Sequence, residues 1–283
     1  MVLSLAIASA LSLGIADYLA GLTLRRDGRN DSVLTYTLIS SLVGVLVVAA
    51  ALPLAWPEEF TRSDFWWALA AGVVVGLAMP LLMIGMGRGP IAVIAPVLGL
   101  VSMAVPAVLG PLLGDNLTQL EIAGLLVAFP AAALVAASSH RSTGAFAIPQ
   151  AVGIAALAGL LLGFAGVFFG QTSPDSGIAP GVVSQVTATL LLLAAAVLSG
   201  RLLRPKRTAL TIDAGVGVLT ALAVLLSVLA YQLGPVAVVA AVIALAPGPT
   251  VVLAWLLAKE KIARAQLVGF ALGAGAVVLF ALG

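Results

Sequence analysis

Ten long apolar runs alternate along the chain with short charged or turn-rich breaks. The pattern predicts helices over residues 2–24, 32–54, 65–87, 90–113, 119–138, 148–170, 178–200, 211–233, 235–257 and 263–282. Each has the roughly 20 residues needed to cross about 30 Å of hydrocarbon. The breaks include Arg25-Arg26-Asp27-Gly28-Arg29, Trp56-Pro57-Glu58-Glu59, Gly114-Asp115-Asn116, Ser173-Pro174-Asp175, Arg201 to Arg207 and Lys259-Glu260-Lys261. Two joints, Gly89-Pro90 and Gly234-Pro235, are so tight that the helices they connect must run antiparallel. No soluble domain fits between these elements, and the first run reads as a span and not as a cleaved signal.

Composition narrows the class. Of 283 residues, 62% are hydrophobic and 8% charged, where a soluble domain is about a quarter charged. Backbone polar groups in lipid must be satisfied internally, so long apolar runs mean helices. The fold expected is an all-α integral membrane protein with ten transmembrane helices. The basic residues form no aromatic-laced stripe, so no nucleic-acid partner is expected. There is no cysteine, and the single histidine, His140, falls in a predicted loop. Such a set offers no metal site, and no cofactor is expected.

The chain also repeats itself. At an offset of 145 residues, Gly89-Pro90 matches Gly234-Pro235, Ala92-Val93 matches Ala237-Val238, Ala95 matches Ala240, Asp115 matches Glu260 and Gly124 matches Gly269. With a four-residue shift, Leu13-Gly14, Ala16, Gly21 and Thr23 match Leu162-Gly163, Ala165, Gly170 and Thr172. The reading is two five-helix repeats, residues 1–141 and 142–283. An odd number of spans per repeat inverts the second copy, and the two copies then enclose a central cavity. Charge fits this reading: 12 of the 13 Lys and Arg residues fall on one face, Arg62 being the exception. The positive-inside rule makes that face cytoplasmic and puts both termini outside.

The Gly-Pro start of the fourth and ninth spans, their internal prolines (Pro96 and Pro106; Pro247 and Pro249), the acidic residues ending them (Asp115, Glu260) and the glycine-rich fifth and tenth spans resemble the EamA-like domain, present twice. That is the pattern of the drug/metabolite transporter superfamily, and the resemblance covers nearly the whole chain. It implies a ten-helix secondary transporter with a cavity between the halves, often exporting amino acids or other metabolites. The sequence departs from the family pattern at Leu13-Gly14, where tryptophan-glycine is frequent, and at Asp115, where glutamate is commoner. The family is usually drawn with both termini in the cytoplasm, opposite to the charge count.

Candidate chemistry centres on Asp17, read as the only carboxylate well inside a predicted span. Intramembrane carboxylates are costly and usually face a cavity or a partner. Helical spacing puts Gly14, Asp17, Tyr18 and Gly21 on one face, and the repeat makes Gly166 the counterpart of Asp17, so any acid-base role is asymmetric. Tyr36, Ser102, Gln185, Tyr231 and Gln232 complete the expected substrate and proton pathway. Pro96, Pro106, Pro247 and Pro249 are read as helix breaks or hinges, because proline removes a donor and frees a carbonyl for substrate or ion. Glycine pairs four apart, among them Gly72/Gly76 and Gly269/Gly273, permit close helix approach. Trp66, Trp67 and Trp255 read as interfacial anchors.

These readings converge on a secondary active transporter in the cell's inner membrane, exporting a small organic solute in exchange for protons and working as a monomer in preference to a homodimer. Two other classes compete. An intramembrane enzyme would need paired acids, a nucleophile with its base, or metal ligands at depth, and the predicted spans offer none. A non-transporting assembly subunit would lack a polar interior.

Overall fold

The computed structural model describes residues 1–27, 33–88, 91–136, 148–200, 207–259 and 262–283. Among them the chain is helical: α1 (Val2–Asp27), α2 (Val33–Ala51), α3 (Arg62–Arg88), α4 (Ile91–Leu112), α5 (Gln119–Ala136), α6 (Ile148–Gly170), α7 (Ala179–Ser199), α8 (Arg207–Leu233), α9 (Val236–Ile243), α10 (Pro247–Ala258) and α11 (Arg264–Leu282). Among the described residues, eight segments are long and apolar enough to cross a membrane, with α9 and α10 together forming one of them, Val236–Leu257. Two shorter apolar stretches, Val97–Leu112 and Gln119–Val135, lie in α4 and α5. The chain is a multi-pass membrane protein.

Local chemistry sets the ends. Thr61 and Asp64 cap α3 reciprocally, the Thr61 N–H donating to Asp64 Oδ2 (2.9 Å) and the Asp64 N–H to Thr61 Oγ1 (3.2 Å). Thr118 and Glu121 repeat the arrangement at α5, with 2.8 and 3.2 Å bonds. At α11 the Ala263 N–H donates to Gln266 Oε1 (2.9 Å). Gly200 closes α7 in the left-handed conformation.

Where one helix was predicted over 235–257, there are two. Pro247 and Pro249 lack N–H groups, so the carbonyls of Ile243 and Leu245 lose their usual donors four residues on. Both are taken up by tighter bonds: Ala246 N–H to Ile243 O (2.9 Å) and Gly248 N–H to Leu245 O (2.8 Å). The helix breaks at Ala244–Ala246 as a result. In contrast, α4 runs unbroken through Pro96 and Pro106. Ten residues separate these two, and each removes a single donor, whereas the prolines of α10 remove two within one turn.

Packing is pairwise and has a regular plan. α1 lies on α8 and α3 on α6; α2 lies on α8 and α3 on α7; α1 meets α9 and α10, and α4 meets α6. The pairs α2–α7, α4–α9 and α5–α11 join the two sequence halves. α9 is the centre of the largest apolar cluster: Val236 to Val242 are all buried, against Ala6, Met103, Leu125, Ala230 and Phe280.

Glycines let these helices approach. A β-carbon on Gly72 (α3) would meet the Ser184 carbonyl and Thr187 Cβ of α7 at 2.7 and 2.6 Å. One on Gly217 (α8) would meet the Ser40 carbonyl and, at 2.7 Å, Val43 Cβ of α2. Gly124 sits under the Phe280 ring, and Gly269 sits against Val135 and Leu134. Gly269 is therefore consumed by α5–α11 packing within the chain.

The two faces of the bundle differ. The N-terminus lies at the α8–α9 joint, where Val2 abuts Gly234, and the C-terminus at the α4–α5 connection, where Gly283 abuts Thr118. On this terminal face, Glu58 and Glu59 N–H groups donate to Asp175 O (2.9 and 3.2 Å) and the Ser173 N–H donates to Asp64 Oδ1 (2.7 Å). The opposite face holds the C-terminal end of α1 and the N-terminal end of α8; by sequence these ends adjoin breaks rich in Lys and Arg, and we call it the basic face.

Candidate functional site

α1 carries the central feature. Gly14 is pressed against the α9–α10 break: a β-carbon there would meet the Ala246 carbonyl, and Pro249 Cβ at 2.8 Å. Thr250 Oγ1 donates to the Gly14 carbonyl (2.8 Å), so α1 is bonded to the first turns of α10. Asp17 follows three residues later, about 4.5 Å further along the axis. Its side chain is exposed. One turn beyond, a β-carbon on Gly21 would find nothing within 4 Å. The stripe Gly14–Asp17–Tyr18–Gly21 therefore runs from tight packing into open space as it approaches the basic face.

A second polar cluster joins α2 and α7. Gln185 Nε2 donates to the Ser41 carbonyl and Ser41 Oγ, both at 3.4 Å. Ser41 Oγ and Thr189 Oγ1 share a 2.6 Å bond, and Thr189 also donates to the Gln185 carbonyl (2.7 Å). Tyr36, one turn or more before Ser41 on α2, is buried.

The remaining sequence-derived residues lie elsewhere. Ser102 bonds within α4, donating to the Gly99 carbonyl (2.9 Å). Tyr231 packs its ring on Gly166 of α6. Gln232 Nε2 reaches Thr172 Oγ1 (3.0 Å), Ser176 Oγ (3.1 Å) and the Gly177 carbonyl (3.1 Å) at the α6–α7 connection. It ties the terminal face together. Trp67 lies against the Phe168 ring at 5.6 Å, while Trp66 and Trp255 are exposed.

Asp115 holds a further joint. Its Oδ2 accepts from the Val236 N–H (2.7 Å) and the Ala237 N–H (3.4 Å), capping the first turn of α9 from the end of α4. The matching acid, Glu260, lies outside the described residues.

Sequence reasoning missed one carboxylate. The span predicted over 211–233 leaves Asp213 at its edge, whereas α8 begins at Arg207 and Asp213 stands nearly two turns inside it. It is 2% exposed. A polar first turn, Arg207-Thr208, is invisible to hydropathy, and looking for acids within two turns of a predicted boundary would have found Asp213.

Two apolar cavities flank these features. One of about 640 Å³ is walled by Leu11 and Ile15 of α1, Pro249 and Val252 of α10, and Phe270 and Val277 of α11. The other, of about 700 Å³, lies between α4 and α5 beside Asp115.

The comparisons add fold and nothing chemical. No family model matches the chain, and no curated protein does. A solved structure, described as a crystal structure of a protein, superposes with a TM-score of 0.76 at 16% identity, covering 99% of this chain and 95% of that one. At that identity the likeness is one of fold.

Proposed function

We propose that this chain is a secondary active transporter of a small organic solute in the inner membrane, of the drug/metabolite type. In this reading ten spans form two inverted five-helix repeats, and Asp17 exchanges the coupling proton. One observation carries it: an exposed mid-span carboxyl on α1, one turn from the point where that helix is bonded to the break between α9 and α10. Discontinuous helices near the midplane mark binding sites in carriers built from inverted repeats.

The packing plan supports the repeat. Exchange α1 with α6, α2 with α7, α3 with α8, α4 with α9–α10 and α5 with α11. The pair α1–α8 then becomes α6–α3, α2–α8 becomes α7–α3, and α1–α10 becomes α6–α4, all of them observed partners. The glycines follow: Gly72 and Gly217 are 145 residues apart, and their partner carbonyls, Ser184 and Ser40, are 144 apart. Gly124 beneath Phe280 exchanges with Gly269 beside Val135, again at 145.

The faces support a carrier state. The terminal face is laced by Asp64, Asp115 and Gln232, whereas α1 has open space at Gly21 toward the basic face. With the basic face cytoplasmic, this is an inward-open form. Exchanging one proton for a neutral solute at 100 mV supplies about 2.3 kcal/mol, enough for roughly a fifty-fold gradient.

The test is transport by reconstituted vesicles, loading amino acids, amines and nucleosides in turn under an imposed pH gradient. The expected result is pH-driven movement of one class, abolished in Asp17→Asn with the protein still inserted. Gradient-insensitive uptake equal in wild type and Asp17→Asn would remove Asp17 from the mechanism, and no movement of any class would count against transport.

A further inference from the structure

Asp213 lies in α8 at the contact with α2, and no step proposed above uses it. Its carboxyl meets the α2 main chain at Ser40, yet Oδ2 is buried without a hydrogen-bond partner. The neighbouring Ser40 hydroxyl is already committed to the Thr37 carbonyl (3.0 Å). Four residues on, about one turn, Gly217 brings the α2 backbone into direct contact with α8 and closes the site from that side.

Depth can be read from α1. Ser9 Oγ donates to the Ala223 carbonyl (2.9 Å) and aligns the antiparallel helices α1 and α8. Asp17 is eight residues from Ser9, about 12 Å along the axis, and Asp213 is ten residues from Ala223, about 15 Å in the same direction. The two carboxyls thus stand at nearly one depth on adjacent helices. Asp17 faces the open space and Asp213 faces a packed joint.

The charged and titratable groups around Asp213 are few. α8 packs on α1, α2, α6, α7 and α9. Within these, α6, α7 and α9 carry no ionisable side chain, α2 carries Tyr36, and α1 carries Asp17 and Tyr18 besides Arg25, Arg26 and Asp27 at its end. On α8 itself Arg207 stands six residues away, about 9 Å along the axis, and Tyr231 lies at the far end. Oδ2 bonds to none of them. A bare carboxylate in such a place either neutralises or acquires a bound cation.

We infer that Asp213 is a second proton-binding site of this protein, occupied in this conformation and shielded from water by the α2–α8 contact. The inference deepens the transport reading: two carboxyls at one depth would carry two protons per cycle, Asp17 exchanging with the open space and Asp213 releasing when α2 and α8 part. Two protons would square the solute gradient that one can sustain.

Infrared spectroscopy of the full chain in bilayers at neutral pH tests the site without any substrate. A protonated-carboxyl carbonyl band is expected in wild type, lost in Asp213→Asn and retained in Asp17→Asn. Asn replaces the neutral acid almost isosterically, so the variant keeps the α2–α8 contact; if it fails to insert, Asp213→Glu replaces it, with a displaced band expected. An unchanged protonated-carboxyl spectrum in Asp213→Asn overturns the inference, as does a band removed by sodium chloride but not by potassium chloride, which marks a metal-cation site. Proton-to-solute stoichiometry, from the pH gradient that just halts solute flux, should fall from two to one in Asp213→Asn. A band without transport would retain the site and reject the carrier, whereas transport without the band would do the reverse.

Discussion

Two glycines on one helix, 215 and 217, should respond to alanine with opposite signs. A β-carbon on Gly215 would meet nothing within 4 Å, so Gly215→Ala gains the helix preference of alanine over glycine and little else. That gain is about 0.5–1 kcal/mol. Gly217→Ala has the same gain, but its methyl falls on the Ser40 carbonyl and lies 2.7 Å from Val43 Cβ. The obstacle is backbone and a β-branched stem, neither of which rotates away, so α2 and α8 must separate by roughly an ångström. Overpacking of this kind costs about 1–3 kcal/mol. The balance leaves Gly217→Ala about 1–2 kcal/mol less stable and Gly215→Ala about 0.5–1 kcal/mol more stable. At roughly 2–4 °C per kcal/mol for a chain of this size, thermal unfolding in detergent should show a fall of about 4 °C for one and a rise of about 2 °C for the other. Gly72→Ala, which meets Ser184 and Thr187, should match Gly217→Ala within about 1 kcal/mol. Shifts of the same sign for residues 215 and 217 would refute the close approach of α2 and α8.

Removing the α9 cap by Asp115→Ala should cost about 1–2 kcal/mol and speed amide hydrogen exchange at Val236 and Ala237, while Asp115→Asn retains most of the protection. Equal exchange in the Ala variant and wild type would show that the cap is not populated. Thr250→Val deletes the bond to the Gly14 carbonyl and should cost only about 0.6 kcal/mol, the average for interhelical hydrogen bonds in lipid. A loss above about 2 kcal/mol in a thermal unfolding series would mean that the bond also holds the α9–α10 break in place.

Most of the fold was legible because the membrane makes hydropathy a length ruler. The predicted 148–170 and 263–282 spans meet α6 (Ile148–Gly170) and α11 (Arg264–Leu282) within a residue at each end. Two of the misses share one cause, a polar first turn. α3 starts three residues early, because Thr61 and Asp64 satisfy the free N–H groups that hydropathy cannot see. α8 starts four residues early, and that difference concealed Asp213. All four prolines were legible as candidate breaks or hinges, but not which pair parts its helix: α4 runs through Pro96 and Pro106, while the chain parts before Pro247, since spacing decides the outcome. Asp17 was legible as an intramembrane acid and Gln185 as a mid-span amide. Their partners were not, because Ser41 and Thr189 meet Gln185 only through the rotation of α2 against α7.

The asymmetry of the two faces bears on how such a chain would work. Asp115 on α9, Asp64 on Ser173 and Gln232 on the α6–α7 connection are all side-chain bonds between separate elements, and none is covalent or deeply apolar. Hydrogen bonds to charged groups are worth about 1.5–3 kcal/mol each and neutral ones about 1 kcal/mol, so the set amounts to several kcal/mol. Moving a two-state equilibrium from 1:99 to 99:1 takes about 5.5 kcal/mol of differential binding. In the carrier proposed above, the terminal face would therefore be held at about the strength that a bound solute and a proton can overcome together. Had the same face been closed by the buried valines of α9 alone, the barrier would have been set by core packing and opening would have required unfolding it. On this argument the polar bonds are the parts that open, and the apolar cluster around Val236–Val242 is the body that moves as a unit.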